Sequence, residues 1–208
     1  MSRPRASRSY ENEIRRLGFA HVAGVDEVGR GCLAGPVVAA AVILQPGRYV
    51  AGVADSKVVA PPDRERLFDE IRAAAVTWAT SIVEAAEIDR LNIHRASLLA
   101  MRQAVMALQP LPGVVLVDGF RLPDLVMAQR PLIGGDRRST AIAAASILAK
   151  VTRDRLMREL HTHDPRYGFD RHKGYATRDH LAAVAEFGYS PEHRRTFRPP
   201  SLFDTIPD

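Results

Sequence analysis

The chain has few of the residues that stabilise proteins outside the cell or anchor them in a membrane. Cys32 is the single cysteine among 208 residues, so an internal disulfide framework is excluded and a reducing compartment is expected. The longest apolar run, residues 36–44, is too short to span a bilayer. Residues 1–10 lack the apolar stretch of a signal peptide. We therefore expect a cytoplasmic protein with no membrane partner.

Several common motifs of ligand binding and catalysis are also missing. The sequence contains no Walker A loop, no dinucleotide-binding glycine pattern and no serine in a nucleophile elbow. A zinc site at His161, His163 and His172 is a minor alternative, since no cysteine or suitably spaced carboxylate completes it. These absences argue against nucleotide-dependent enzymes and serine hydrolases.

Lysine is scarce although the chain is basic. The 29 basic residues include three lysines, Lys57, Lys150 and Lys173, and the net charge is +5 with a pI near 9.8. A basic protein of this kind favours a polyanionic partner. Residues 1–10 carry three arginines and no apolar periodicity, which predicts a disordered basic arm.

The hydrophobic pattern predicts an α/β fold with helices between strands. Residues 37–44 have no polar alternation, as expected for a strand covered on both faces. Residues 140–160 form the clearest helix, and their alanines are small enough to pack closely on a sheet. Strands are predicted at 22–26, 37–44, 76–84 and 114–117, and helices at 11–18, from Pro61, at 87–108, 140–160 and 179–187, and from Ser190. The segments before Asp136 and between His161 and Thr177 are predicted to be loops.

Acidic residues follow two of the predicted strands. Asp26 and Glu27 end the first strand, Asp118 follows residues 114–117, and Asp136 lies in a glycine-containing loop. Singly, each has an ordinary interpretation as a solvated turn, a turn signal or a helix N-cap. Together, at the strand ends where α/β sheets bind ligands, they predict a site for Mg²⁺ or Mn²⁺. Paired metals of this kind assist hydrolysis of a phosphodiester.

The segment Gly29-Arg30-Gly31 comes directly after the first two acids. Glycines on both sides of an arginine let the backbone approach a ligand closely and expose N–H groups that suit phosphate oxygens. The pattern predicts that a phosphate binds beside the cation. The favoured activity is therefore phosphodiester hydrolysis by a nuclease. A metal phosphatase and a nuclease of a different type are the alternatives.

Several segments resemble the motifs of the ribonuclease HII family, and they occur in that family's order. The resemblance covers about residues 11–198. Its first motif, which includes Asp26, Glu27 and the glycines beside Arg30, is by itself highly specific. The matching residues are 24–31, 33–38, 55–57, 117–119, 135–136, 142–151, 172–175 and 193–197.

The resemblance implies an RNase H-like fold, with a central mixed β-sheet flanked by helices and a small C-terminal helical portion. We expect the chain to divide into a disordered basic arm (1–10), an RNase H-like catalytic domain (11–164), a substrate-binding loop and helix (165–198) and a flexible tail (199–208). The implied activity is a metal-dependent endonuclease, active with Mg²⁺ or Mn²⁺. It would cleave the RNA strand of RNA/DNA hybrids and the 5′ side of single ribonucleotides in duplex DNA, leaving 3′-hydroxyl and 5′-phosphate ends during DNA repair.

The same resemblance implies roles for individual residues. The metal-binding catalytic acids would be Asp26, Glu27, Asp118 and Asp136. Gly29, Arg30 and Gly31 would hold the backbone around the scissile phosphate and sense the 2′-hydroxyl, which distinguishes RNA from DNA. Tyr175 would pack on the adjoining sugar, and Lys57 and Lys150 would contact phosphates.

The chain also departs from the family pattern. Many members carry lysine where this chain has Gly134, so we expect Arg137 or Arg138 to supply positive charge beside Asp136. Residues 201–203 resemble the end of a peptide that binds the bacterial sliding clamp, without its usual glutamine. We expect a monomer. The alternative function is a non-catalytic hybrid-binding protein on the same scaffold, and the presence of all four acids argues against it.

Overall fold

A computed structural model describes residues 6–53, 56 and 59–197. Within them, five strands form one mixed sheet in the order β3-β2-β1-β4-β5. The strands are β1 (Val22–Val28), β2 (Val37–Leu44), β3 (Ala75–Val83), β4 (Val114–Asp118) and β5 (Ala128–Leu132). The helices are α1 (Ser9–Arg16), α2 (Pro61–Ala74), α3 (Ala85–Leu91), α4 (Ile93–Met106), α5 (Thr140–His163), α6 (Phe169–His172) and α7 (Arg178–Phe187), with 3-10 turns at Gly135–Arg137 and Pro165–Tyr167. The predicted α/β class with a central mixed sheet is confirmed.

The register of the sheet brings two of the predicted acids side by side. β1 runs parallel to β4, and Val25 opposite Val117 is the last pair of that ladder. Asp26 and Asp118 are the next residues of the two strands, so they reach the same edge of the sheet. β1 continues antiparallel to β2 as far as Val28, so Asp26 lies within a strand rather than after its end.

Helices cover both faces of the sheet. Ala39 and Ala41 of β2 belong to the core beneath α4, while Val38, Ala40 and Val42 belong to the core beneath α2 and α5. Alternate residues of a strand point to opposite faces, so β2 is apolar on both. This is the covering that its uninterrupted apolar sequence predicts.

Helix α5 lies very close to the sheet at its first turn. A methyl group added at Gly24 of β1 would overlap the backbone of Ala141. The carboxylate of Glu11, from α1, accepts hydrogen bonds from the Ser139 hydroxyl (2.8 Å) and from the N–H of Ala141 (2.7 Å). Contacts from two other elements therefore fix the start of α5, which follows Asp136 by four residues.

Two predictions about the middle of the chain are wrong. The helix predicted over 87–108 is divided into α3 and α4, because Asn92 adopts a φ of 73° and its side chain accepts a hydrogen bond from the N–H of Arg95. Asparagine tolerates this left-handed conformation and caps helices well. Strand β5 was predicted as loop because it contains Pro131, but it lies at the edge of the sheet, where proline is tolerated.

The C-terminal elements pack on the end of α5. A cluster that includes Leu33, Met157 and Phe169 joins the loop after β1 to α5 and α6. Helix α7 lies within one residue of its predicted bounds, but α6 falls in a predicted loop. Residues 190–193 form a turn and a bridge to Ala34 instead of the predicted helix. In the described part of the chain, no helix is long and apolar enough to cross a membrane.

Candidate active site

A cavity of about 260 Å³ lies where β1 and β4 reach the edge of the sheet. Ten site residues were predicted from the sequence, and the structure places nine of them around this cavity: Asp26, Glu27, Gly29, Arg30, Gly31, Asp118, Asp136, Lys150 and Tyr175. The tenth, Lys57, lies outside the described residues. Residues far apart in the sequence thus share one site.

The four carboxylates come from three segments, and hydrogen bonds from nearby donors fix Asp26, Glu27 and Asp118. Asp26 Oδ1 accepts the N–H of Glu27 at 2.7 Å, and Glu27 Oε1 accepts from Arg30 Nη1 at 3.0 Å. Asp118 Oδ1 accepts the N–H of Gly135 at 2.6 Å, which ties the end of β4 to the turn that carries Asp136. These bonds hold the acids around the cavity.

The electrostatics of Asp26 favour a bound cation. Burial, followed by the negative charges of Glu27 and Asp118, raises the pKa of Asp26 well above its usual range, and Asp136 adds to the effect. An ionised carboxylate buried among other carboxylates is unfavourable unless a positive charge offsets them. Oxygen donors without thiolates match the coordination of Mg²⁺ or Mn²⁺.

The four acids line one cavity, but their side chains are not arranged as the ligands of a metal ion. Among residues 6–53, 56 and 59–197, no three His, Cys, Asp or Glu side chains are arranged to hold one metal ion. In the acidic group, Asp26, Glu27 and Asp118 each accept a hydrogen bond from a local donor, and Asp136 lies beside Arg137. The zinc alternative gains no support, since both ring nitrogens of His172 bond to backbone groups.

The two glycines beside Arg30 differ in their surroundings. Gly29 has a φ of +92°, and a methyl group added there would collide with Arg153 and with the carbonyl of Pro36. A methyl group added at Gly31 would have no protein atom within 4 Å, and Gly31 has no left-handed φ. The fold therefore requires glycine at position 29, while the open space at Gly31 belongs to the cavity.

Two buried arginines hold this loop, and no sequence pattern predicted a role for either. Arg153 of α5 donates to the carbonyls of Ala34, Pro36 and Lys173 at 2.9–3.1 Å. Arg194 donates twice to the carbonyl of Gly35 and once to that of Arg30. Burial lowers the pKa of Arg194 to about 10, so it remains charged at neutral pH. Arg194 lies in a motif that the resemblance includes, but no composition rule distinguishes a buried arginine from an exposed one.

Tyr175 and the basic residues complete the cavity. Tyr175 is 47% exposed, and burial of the rest of its side chain raises the pKa of its phenol. Lys150 donates to Asp154 at 2.7 Å. Beside Asp136, positive charge comes from Arg137, whose Nε lies 3.9 Å from Oδ1, whereas Arg138 donates to the hydroxyl of Tyr10.

Comparisons with known proteins agree with this architecture. Residues 23–200 match the family described as Ribonuclease HII. Ribonuclease HII 1 of Methylibium petroleiphilum is 58% identical over 188 residues, which are 89% of this chain and 94% of that protein. The crystal structure of ribonuclease H2 from Pyrococcus horikoshii OT3 has a TM-score of 0.71 at 25% identity, covering 85% of this chain and 93% of that one. RNase HII from Archaeoglobus fulgidus, solved as a PCNA complex, has a TM-score of 0.70 at 25% identity and covers 86% and 96%.

The mixed sheet with an acid-lined cavity at its edge, together with these structural matches, defines an RNase H-like endonuclease. The sequence matches are more specific than the fold. The chain belongs to the ribonuclease HII family, as its motifs predicted.

Proposed function

We propose that the protein cleaves the RNA strand of RNA/DNA hybrids and the 5′ side of single ribonucleotides embedded in duplex DNA, leaving 3′-hydroxyl and 5′-phosphate ends. One observation carries the proposal: four carboxylates from three segments share a cavity with a glycine loop and a half-exposed tyrosine. The acids suit phosphodiester hydrolysis, and the loop and tyrosine suit recognition of a sugar–phosphate backbone.

The reaction depends on Mg²⁺ or Mn²⁺, and the residues that would hold the cations are Asp26, Glu27, Asp118 and Asp136. When bound, the divalent cations supply activation of water and stabilisation of charge on the scissile phosphate. The fold brings the carboxylates together. The β1–β4 register places Asp26 beside Asp118, and the hydrogen bond from the Gly135 N–H to Asp118 fixes the turn that carries Asp136.

The remaining cavity residues are proposed to bind the substrate. Gly31 leaves space for the backbone at the scissile phosphate, and Arg30 neutralises its charge. Tyr175 packs on the adjoining sugar, where the 2′-hydroxyl marks a ribonucleotide. Lys150 contacts a flanking phosphate. We propose the same contact for Lys57, which lies outside the described residues.

Some features of the proposal concern the whole chain. We assign substrate binding to residues 165–198, behind the catalytic residues 11–164, and we propose a cytoplasmic monomer that acts in DNA repair. The relative from A. fulgidus was solved with PCNA. We propose a sliding clamp as the partner of residues 201–203, which lie outside the described residues. Pull-down on immobilised clamp tests this, and capture that is unchanged by deletion of residues 199–208 would reject the assignment.

The direct test is incubation with a duplex that contains one ribonucleotide, in the presence of Mg²⁺, Mn²⁺ or EDTA. We expect a cut on the 5′ side of the ribonucleotide with either cation and none in EDTA. Binding without cutting would favour the non-catalytic alternative, and release of inorganic phosphate from monoesters would favour a phosphatase. Cutting in EDTA would contradict the metal dependence.

Asp118→Asn provides the matched test of the acidic site. We expect cleavage to fall by at least about 100-fold while binding to a hybrid survives, because the amide keeps the shape of the side chain but removes its charge. Asp124→Asn, at an exposed position of the following loop, is the control and should cleave normally. Near-normal turnover of Asp118→Asn in Mg²⁺ would remove Asp118 from the catalytic set.

A further inference from the structure

Behind Tyr175 lies a group of three histidines, two of them buried, that takes no part in the roles assigned above. His180 and His193 are 0% and 2% exposed. The ring of His172 stacks on His180, with 4.3 Å between the centroids. Phe169 packs against all three rings at 5.5–6.0 Å. We call His172, His180 and His193 the histidine cluster.

The hydrogen bonds of the cluster fix which nitrogen of each ring carries a proton. The N–H of Ser190 can only donate, so Nδ1 of His193, 3.0 Å away, accepts, and the Ser190 hydroxyl donates to the same nitrogen at 2.8 Å. His193 therefore carries its proton on Nε2 and donates to Nε2 of His180 at 3.0 Å. His180 is then protonated on Nδ1 and donates to the carbonyl of Tyr175 at 2.9 Å. The two accepting nitrogens, Nδ1 of His193 and Nε2 of His180, require both rings to be neutral, because a protonated imidazole has two donors and no acceptor.

The surroundings keep the rings neutral. Burial is the main cause that lowers the pKa of His180 and His193 to about 4. The ionisable groups that act on them are His172, beside His180, and Asp164, whose charge acts on His193. The chain of bonds is therefore intact at neutral pH.

The backbone before Tyr175 is held from two sides. Lys173 and Gly174 both have left-handed φ values, 52° and 81°, which turn the chain sharply. The carbonyl of Gly174 accepts the N–H groups of Leu33 and Ala34, in the loop that follows the cavity glycines. Nδ1 of His180 (2.9 Å) and the N–H of Thr177 (2.8 Å) both donate to the carbonyl of Tyr175, one residue further along. The cluster thus sets how the tyrosine sits relative to that loop.

We propose that His180 and His193 are positioning residues, which hold the Tyr175 carbonyl through a fixed pair of neutral tautomers and so aim its ring into the cavity. The inference rests on the role proposed above for Tyr175 at the ribonucleotide. It predicts that the histidines act on substrate choice through Tyr175, although neither touches the cavity.

The first test reads the tautomers without measuring activity. Long-range ¹H–¹⁵N spectra of histidine-labelled full-length protein at neutral pH should show His180 protonated at Nδ1 and His193 at Nε2. The opposite tautomer on His180, or a doubly protonated ring, would overturn the proposal. Ser190→Ala, which keeps the backbone donor, should leave both tautomers unchanged.

The second test is a double-mutant cycle between His180→Ala and Tyr175→Ala. It compares cleavage of a duplex with one ribonucleotide with cleavage of a long hybrid. The ratio to compare is kcat/KM for the duplex with one ribonucleotide divided by kcat/KM for the long hybrid. Alone, His180→Ala should lower this ratio about tenfold. In the Tyr175→Ala background, it should change the ratio by less than about twofold. His180→Asn keeps a donor near the Nδ1 position and should restore most of the ratio. It also serves as the test variant if His180→Ala fails to fold.

A control separates positioning from general destabilisation. Phe169→Leu loosens packing around the same rings but removes no hydrogen bond to Tyr175, so it should lower stability and leave the ratio unchanged. Two results would contradict the positioning role of the histidines and leave the proposed role of Tyr175 in place. One is an equal loss on both substrates in His180→Ala, and the other is an effect of His180→Ala on the ratio that adds in full to that of Tyr175→Ala. If Tyr175→Ala itself leaves the ratio unchanged, the proposed role of Tyr175 fails first, and the inference falls with it.

Discussion

At the scale of single residues, the two glycines beside Arg30 show how a fold requirement is separated from a ligand requirement. Gly29 has a left-handed φ and lies against Arg153, so the fold itself requires glycine. Gly31 has open space and no left-handed φ. The sequence predicted that both glycines let a ligand approach, and the structure shows that only Gly31 has open space on its side-chain side.

We therefore predict that Gly31→Ala lowers kcat/KM by about tenfold or more while leaving the free energy of unfolding within about 0.5 kcal/mol of the parent. The added methyl group would occupy space that the substrate backbone needs. Cleavage assays and urea unfolding measure the two quantities, and Gly47→Ala, another site with open space, is the control. Unchanged cleavage by Gly31→Ala would show that the backbone does not approach the cavity there.

Tyr175 carries the second prediction at this scale. Tyr175→Ala should impair cutting at an isolated ribonucleotide more than cutting within a long hybrid, because the half-exposed ring is proposed to contact the sugar at the RNA–DNA junction. The comparison uses kcat/KM on the two substrates under one condition. Equal losses on both would remove the junction role and leave Tyr175 as a general binding residue.

At the scale of elements, long apolar segments were predictable and special backbone conformations were not. β2, whose residues are apolar throughout, has the predicted bounds. The break at Asn92 depends on a single left-handed residue within a helical pattern, and β5 depends on an edge position that allows a proline. Both are decided by tertiary packing, which local periodicity does not contain.

The start of α5 gives a prediction about stability. Glu11→Ala should lower the free energy of unfolding by about 2 kcal/mol, because it removes two hydrogen bonds at the helix N-terminus. The loss stays moderate because Glu11 Oε2 is buried without a hydrogen-bond partner among the described residues.

Glu13→Ala is the matched control on the same helix. Glu13 makes an exposed ion pair with Arg130, which should contribute less than about 0.5 kcal/mol. Urea unfolding of both variants measures the difference. Equal effects of the two substitutions would show that the buried contact with α5 is not the stabilising one.

At the scale of the whole molecule, part of the acidic site was predictable because Asp26 and Asp118 follow apolar segments that form neighbouring strands. The β1–β4 register then converts two sequence positions, Asp26 and Asp118, into neighbours. The supports of the site were not predictable. Arg153 and Arg194 bond to backbone carbonyls, and His180 and His193 bond to each other, across contacts that no sequence spacing reveals.

Stability of the whole chain should depend on pH through the histidine cluster. The pKa values of His180 and His193 fall from 6.5 to about 4 on folding. Between those values the unfolded chain binds protons that the folded chain does not, so stability is highest above pH 6.5 and falls as the pH decreases toward 4. The loss should be on the order of 3 kcal/mol per histidine.

Urea unfolding at several pH values between 4 and 7 measures this dependence. The double variant His180→Asn, His193→Gln should show a shallower slope, since it lacks both titrating groups. A slope equal to that of the parent would place the pH sensitivity elsewhere.

The proposed activity requires the four carboxylates to act together around divalent cations. Anomalous scattering from Mn²⁺, in crystals of the protein with a duplex whose scissile linkage cannot be hydrolysed, locates those cations directly. We predict peaks about 2–2.5 Å from oxygens of Asp26, Glu27, Asp118 and Asp136. Peaks bound elsewhere on the surface, with the cavity holding none, would contradict the central claim.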